Sequence, residues 1–109
     1  MFKSPEEYLR HIQDEINYLL ATSLDLTEVE FSQNQTLQKA FTRSLEIIGE
    51  ATKNLPPEFR DQHNSIDWKS IAGMRDRLIH NYFGVDYQIV WDVIKNEIPP
   101  LKTRISSLL

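Results

Sequence analysis

Arg75, His80 and Tyr82 are the residues of this chain whose types and spacing could do chemistry. A guanidinium keeps its proton at any physiological pH and offers a fork of donors suited to an anion. Histidine is the side chain that titrates nearest neutrality. Tyr82 follows Arg75 by one helical heptad, and Asp76 stands directly after the arginine. Together they suggest an anion held beside a group able to move a proton. Arg75 also falls on an apolar stripe, four residues after Ile71 and four before Ile79. A cation facing a core needs a carboxylate, a carbonyl cluster or a ligand anion.

The helix that must carry these residues sets a geometric problem. Trp68, Ile71, Ala72, Leu78, Ile79 and Tyr82 recur at three- and four-residue steps, which predicts a third long helix from Trp68 to near His80 or Tyr82. At about 100° per residue, positions five apart diverge by roughly 140°, so one straight helix cannot aim Arg75 and His80 at one atom. Unwinding at His80, or a second subunit bringing its own copy across a twofold axis, would restore a common site. The plain alternative is a surface pair between Asp76 and His80, with Arg75 anchored by Glu46 or Glu50 of the preceding long helix.

The remaining elements read as helices throughout. Ser4-Pro5-Glu6-Glu7 is a capping-box pattern that starts a first helix at Pro5, fading near Ala21-Thr22-Ser23. A connection over Leu24–Asn34 could hold one turn at Thr27-Glu28-Val29-Glu30, a second capping box. A second long helix is expected from Gln35 to Asn54. Gly49 within it is accepted if another helix crosses closely there. Pro57-Glu58-Phe59-Arg60 could form a single turn. Asp67 is placed to cap the third helix, Gly84 to stop it in left-handed geometry, and Asp86 to cap a fourth over Tyr87–Glu97. Pro99-Pro100 should break or kink that helix, leaving a short last one over Leu101–Leu109. No alternating strand pattern or hairpin signal competes. The fold class is all-α, an antiparallel bundle of four to five helices in a single domain over residues 1–109.

Composition narrows the function. The chain has 109 residues, no cysteine and a formal charge of −4, which argues against general nucleic-acid coating but leaves room for a small basic site. No apolar leader or membrane-length run is seen, so a cytoplasmic protein without a membrane segment is expected. His11, His63 and His80 lie far apart and match no zinc pattern, no nucleophile elbow is present, and three isolated glycines cannot build a phosphate loop. Neither a metal nor another cofactor is expected. His11 and His63 read as surface residues. Arg77 points away from Arg75 on an ideal helix and would meet backbone phosphates or solvent.

Arg75, four intervening residues, His80, one residue, then Tyr82 resembles the Arg-x4-His-x-Tyr signature of HepT-like toxins in the HEPN superfamily. The likeness extends over most of the chain from Phe41: Arg43-Ser44-Leu45-Glu46-Ile47-Ile48-Gly49-Glu50-Ala51, Ile66-Asp67-Trp68 leading into Ile71-Ala72-Gly73-Met74, and Tyr82-Phe83-Gly84-Val85-Asp86 with Val90-Trp91. The resemblance implies a HEPN-like bundle and a metal-independent endoribonuclease that cleaves RNA in the groove of a homodimer. It implies the toxin of a toxin–antitoxin pair, neutralised by adenylylation of Tyr82 by an MntA-like minimal nucleotidyltransferase. Arg75 and His80 would then be catalytic, the one stabilising transition-state charge and the other transferring a proton. Asp76 would support His80. The competing class is a catalytically inactive HEPN-like module that binds a nucleotidyltransferase partner or a nucleotide. The intact motif favours the enzyme.

Overall fold

A computed structural model describes residues 4–79 and 84–109. Helix α1 spans Pro5–Ser23, α2 Glu28–Ser32, α3 Gln35–Lys53, α4 Pro57–Gln62, α5 Trp68–Ala72 and α6 Met74–Leu78. A final rod comprises α7 (Tyr87–Asp92), a π-helical turn (Val93–Glu97) and α8 (Ile98–Ser107). The architecture is the expected all-α, HEPN-like bundle. Helix α1 packs on α3 and α8, and α3 packs on both α5 and α6. Leu9, Ile12, Ile16 and Leu19 of α1 meet Phe41, Leu45 and Ile48 of α3 in the core. No helix among the described residues is long and apolar enough to cross a membrane.

Most ends follow from local capping chemistry. The Ser4 hydroxyl accepts from the Glu7 amide at 3.3 Å, and Thr27 with Glu30 forms a complete capping box. Asp67 accepts from the Ser70 amide at 3.2 Å, and Asp86 from those of Gln88 and Ile89. Gly49 does mark a close crossing. A Cβ there would lie 3.1 Å from the Ile71 carbonyl and 3.2 Å from the Met74 Cβ.

Two elements depart from the periodicity reading. The third helix is two five-residue helices broken at Gly73, and it stops at Leu78. Ile79 is extended, and the Leu78 carbonyl that would continue the helix accepts instead from the Asp86 amide at 2.7 Å. An antiparallel bridge between Ile79 and Val85 closes the same loop, and Gly84 has φ +78°. Gly84 is thus left-handed as expected, but in the returning strand of a loop and not at the helix end.

The second departure is at Pro99-Pro100, which neither breaks nor ends the rod. Prolines lack the amide for the helical ladder, and their rings crowd the carbonyl four residues back. The π turn directly before them carries the Ile98 amide to the Val93 carbonyl, one residue wider than α geometry, and the helix continues to Ser107.

Candidate functional site: a cavity beside Arg75

Met74 and Leu78, one turn apart on α6, lie in the core and continue the face that Ile71 begins on α5. Arg75, one residue on from Met74, is exposed and does not face the core, and Ile79 is 41% exposed as well. The buried face runs through Ile71, Met74 and Leu78, so the stripe through Ile71, Arg75 and Ile79 was not the core-facing one. Arg75 has no carboxylate at ion-pair distance among the described residues, so neither Glu46 nor Glu50 anchors it. Glu50 pairs instead with Lys53.

Arg75 lines a cavity of about 220 Å³ together with Thr42 and Glu46 of α3 and the apolar side chains of Leu78, Ile79 and Val85. Helix α3 supplies the polar wall because Thr42 and Glu46 are one turn apart, on the side where Gly49 lets α5 and α6 approach. The Thr42 hydroxyl donates to the Gln38 carbonyl at 2.7 Å and is committed to its own helix. Glu46, half-buried, was legible only as a polar residue beside an apolar stripe. Its step of three residues before Gly49 was the available signal, since a crossing glycine brings its neighbours onto the opposing helix.

His80 and Tyr82 lie outside the described residues. Both belong to the segment between Ile79 and Val85, whose ends are pinned at the cavity wall. The helix ends before either residue, so the divergence of about 140° expected for one straight helix does not apply. Asp76 is exposed on α6 and is not part of the cavity wall, and its carboxylate has no ion pair among the described residues.

Arg77 has the opposite circumstances from Arg75. Its guanidinium grips Glu97 of the π turn through Nη1–Oε1 at 2.9 Å and Nη2–Oε2 at 2.5 Å, and Nη1 donates to the Ser70 hydroxyl at 3.0 Å. The Glu97 hydrogen bonds raise its pKa above the ordinary arginine value against the opposing effect of burial. Arg77 is thus a structural clamp and is not left to solvent or phosphate. His63 is also less of a surface residue than its polar loop suggested. Its ring is half-buried 4.6 Å from that of Phe59, and its carbonyl accepts from the Trp68 indole. His11 is exposed, as expected.

The family profile described as "Ribonuclease HepT-like" matches residues 6–108. The chain belongs to the HepT-like ribonuclease family. "Putative RNase TTE0752" of Caldanaerobacter subterraneus is 50% identical over 107 residues, covering 98% of this chain and 96% of that one. "Probable ribonuclease HepT" of Thermococcus cleftensis is 40% identical over 108 residues, covering 99% and 98%. "Gamma-glutamylcyclotransferase and putative RNase MJ0434" of Methanocaldococcus jannaschii is 47% identical over 109 residues, all of this chain but 49% of that protein. No solved structure matches. HepT-like membership agrees with the helical bundle. It does not by itself assign a role to any side chain.

Proposed function

We propose that this HepT-like chain is a metal-independent endoribonuclease that cleaves RNA at the Arg75 cavity. Arg75 stabilises the charge that builds on the phosphorus centre, and His80 transfers a proton. The observation that carries this reading is the contrast between two arginines of one short helix. Arg77 is held by Glu97, whereas Arg75 stands exposed at a cavity with no ion-pair partner among the described residues. An exposed guanidinium beside a concave surface is suited to bidentate contact with phosphate. The pinned ends of the loop keep residues 80–83 within a few residues of that cavity in the chain.

In this reading the protein is the cytoplasmic toxin of a toxin–antitoxin pair. It acts as a homodimer whose second protomer faces the groove, and Asp76 supports the charged form of His80. A nucleotidyltransferase antitoxin restrains it by adenylylating Tyr82. The names of the relatives and the family profile support the ribonuclease part of this reading. The antitoxin, the modification and the dimer rest on the Arg75–His80–Tyr82 spacing and the likeness it carries.

The test is cleavage of a defined RNA by purified wild type, Arg75→Ala and His80→Ala in the presence of EDTA, with light scattering to report the mass in solution. Wild type should cleave and scatter as a dimer, and each variant should lose about 10²–10³ in rate. RNA left intact by wild type would overturn the ribonuclease reading. An active monomer would overturn the composite groove.

A further inference from the structure

A second cavity opens where α2 and α7 meet beside the first turn of α3. Its volume of about 290 Å³ corresponds to roughly ten waters at about 30 Å³ each, enough for one flat heterocycle. Phe31, Tyr87 and Trp91 form its aromatic wall, and Glu28, Gln38 and Gln88 supply a polar one.

The aromatic wall is held from behind. Phe31 is buried, stacks on Trp91 at 5.2 Å and meets Tyr87 edge-on at 6.4 Å. The Lys95 ammonium stands 4.8 Å from the Trp91 ring centroid and donates to the Ser23 carbonyl at 2.9 Å. The polar wall is partly set as well. Gln38 Nε2 donates to the Ser32 carbonyl at 3.2 Å, which fixes its amide and leaves its second N–H for a ligand. The two glutamates of α2 differ in what occupies them. Glu30 takes the Thr27 amide and hydroxyl of the capping box, whereas Glu28 forms no ion pair among the described residues.

The position of this cavity ties it to Arg75. Gln38 and Thr42 are one turn apart on α3, about 6 Å along its axis, and each lines one of the two cavities. The Thr42 hydroxyl, donating to the Gln38 carbonyl at 2.7 Å, joins the two positions. Val85 and Tyr87, two residues apart, repeat the arrangement where the chain enters α7. A base in an RNA strand stands one sugar away from its phosphate. A phosphate at Arg75 therefore brings a neighbouring base to the aromatic cavity.

We propose that this cavity is the base-reading subsite for the RNA and takes guanine, an inference that rests on the ribonuclease reading above. Unpaired RNA bases are recognised by aromatic contact and by hydrogen bonds to their Watson–Crick edges. Of the four bases, guanine alone presents two adjacent donors there, N1–H and the N2 amino group. They match the two oxygens of a carboxylate, and Glu28 is that carboxylate. The Gln38 and Gln88 amides donate to the acceptors of the same base. The charge of Glu28 also turns a phosphate away from this cavity and leaves it to Arg75. The subsite selects the strand and takes no part in bond breaking.

The experiment measures kcat/KM of wild type and E28A on short uridine oligomers with a central uridine, guanosine, adenosine or inosine. Inosine keeps N1–H but lacks the N2 amino group, so it probes the carboxylate contact in the unaltered protein. Wild type should prefer guanosine by about tenfold or more, and inosine should lose most of that preference. E28A should cleave the guanosine oligomer no faster than the adenosine one. Glu28 is exposed, so E28A should keep its helical circular dichroism. A 2′-O-methyl oligomer with a central guanosine lacks the attacking hydroxyl and gives a readout without cleavage. It should move the Trp91 indole N–H resonance and leave that of Trp68, whose N–H donates to the His63 carbonyl at 3.0 Å, in place. Equal rates on all oligomers, preference for another base, or a guanosine preference that inosine matches or E28A keeps overturns the subsite while the ribonuclease reading stands. So does a Trp91 resonance that stays still. A wild type that cleaves none of the oligomers removes both.

Discussion

Arg77 and Glu97, twenty residues apart in the chain, join the helix that carries Arg75 to the π turn of the final rod through a two-pronged ion pair. The side chains are 32% and 42% exposed, so solvent weakens the pair without abolishing it. Arg77→Ala should lower stability by about 1–2 kcal/mol, between the values for exposed and buried pairs, measured as a shift in urea midpoint with unchanged slope. Arg77→Lys should recover little of this, because an ammonium cannot grip both oxygens. A midpoint unchanged in Arg77→Ala would show that the clamp contributes nothing to stability.

The crossing at Gly49 gives a prediction against simple helix propensity. Alanine should gain about 1 kcal/mol over glycine inside a helix. Here its Cβ would press on the Ile71 carbonyl at 3.1 Å, a backbone atom with little room to yield. Gly49→Ala should therefore show a net loss of about 1 kcal/mol, and Gly49→Leu a larger one of about 2–3 kcal/mol. A higher melting temperature for Gly49→Ala would show that α5 moves aside easily.

The exposed guanidinium at the cavity separates charge from shape. Arg75→Lys keeps the charge but loses the fork, and it should fall at least about 10²-fold in RNA cleavage. Neither Arg75→Ala nor Arg75→Lys should lose stability by more than about 0.5 kcal/mol, since the side chain is exposed. Chelators should leave wild-type cleavage unchanged. Cleavage abolished by EDTA and restored by a divalent cation would refute the metal-independent mechanism.

Tyr82 is expected to be the point of control. Adenylylation there would add a phosphodiester anion that competes for Arg75 and a nucleotide that obstructs the groove. Co-expression with a cognate minimal nucleotidyltransferase should add AMP units to the intact mass of wild type and none to Tyr82→Phe. Tyr82→Phe should keep its toxicity and escape neutralisation. An adduct mapped to Tyr87 or another tyrosine would rule out this switch.

The α2 cap makes a pH-dependent prediction of known sign. Hydrogen bonds from the Thr27 amide and then its hydroxyl hold the Glu30 pKa below its ordinary value of 4.5. A depressed carboxylate stabilises the fold above the unfolded value, and that contribution is lost as pH falls through the folded one. An NMR titration should find Glu30 below the ordinary glutamate range. Thr27→Ala should return it to that range, and an unchanged value would separate the shift from the cap.

What was legible in the sequence was mostly local. The caps at Ser4, Thr27, Asp67 and Asp86 each depend on residues within three positions, and all four form. The spacing of Arg75, His80 and Tyr82 carried the likeness to the HepT-like family, which the family profile bears out. What escaped depends on partners far along the chain. The face that α6 buries against α3 runs through Ile71, Met74 and Leu78, so the stripe counted through Ile71 and Ile79 placed Arg75 inward when it is exposed. Nothing near Arg77 announces Glu97. The connection before α3 gave no sign that Phe31 would be buried, stacked 5.3 Å from Phe41 and 5.2 Å from Trp91. Glu46 became a site residue only once the helices were brought together.

The closure of the chain between Leu78 and Asp86 has a bearing on descent. None of the described residues between Leu78 and Val90 belongs to the fully buried core, and Arg75 and Asp76 are exposed as well. Selection for a stable bundle therefore acts weakly on Arg75 and Asp76, and substitutions at these two positions barely disturb the bundle. A lineage could reshape or discard the chemistry through substitutions here and still inherit a well-folded protein. Duplicated copies of such a gene would be free to diverge first around this loop.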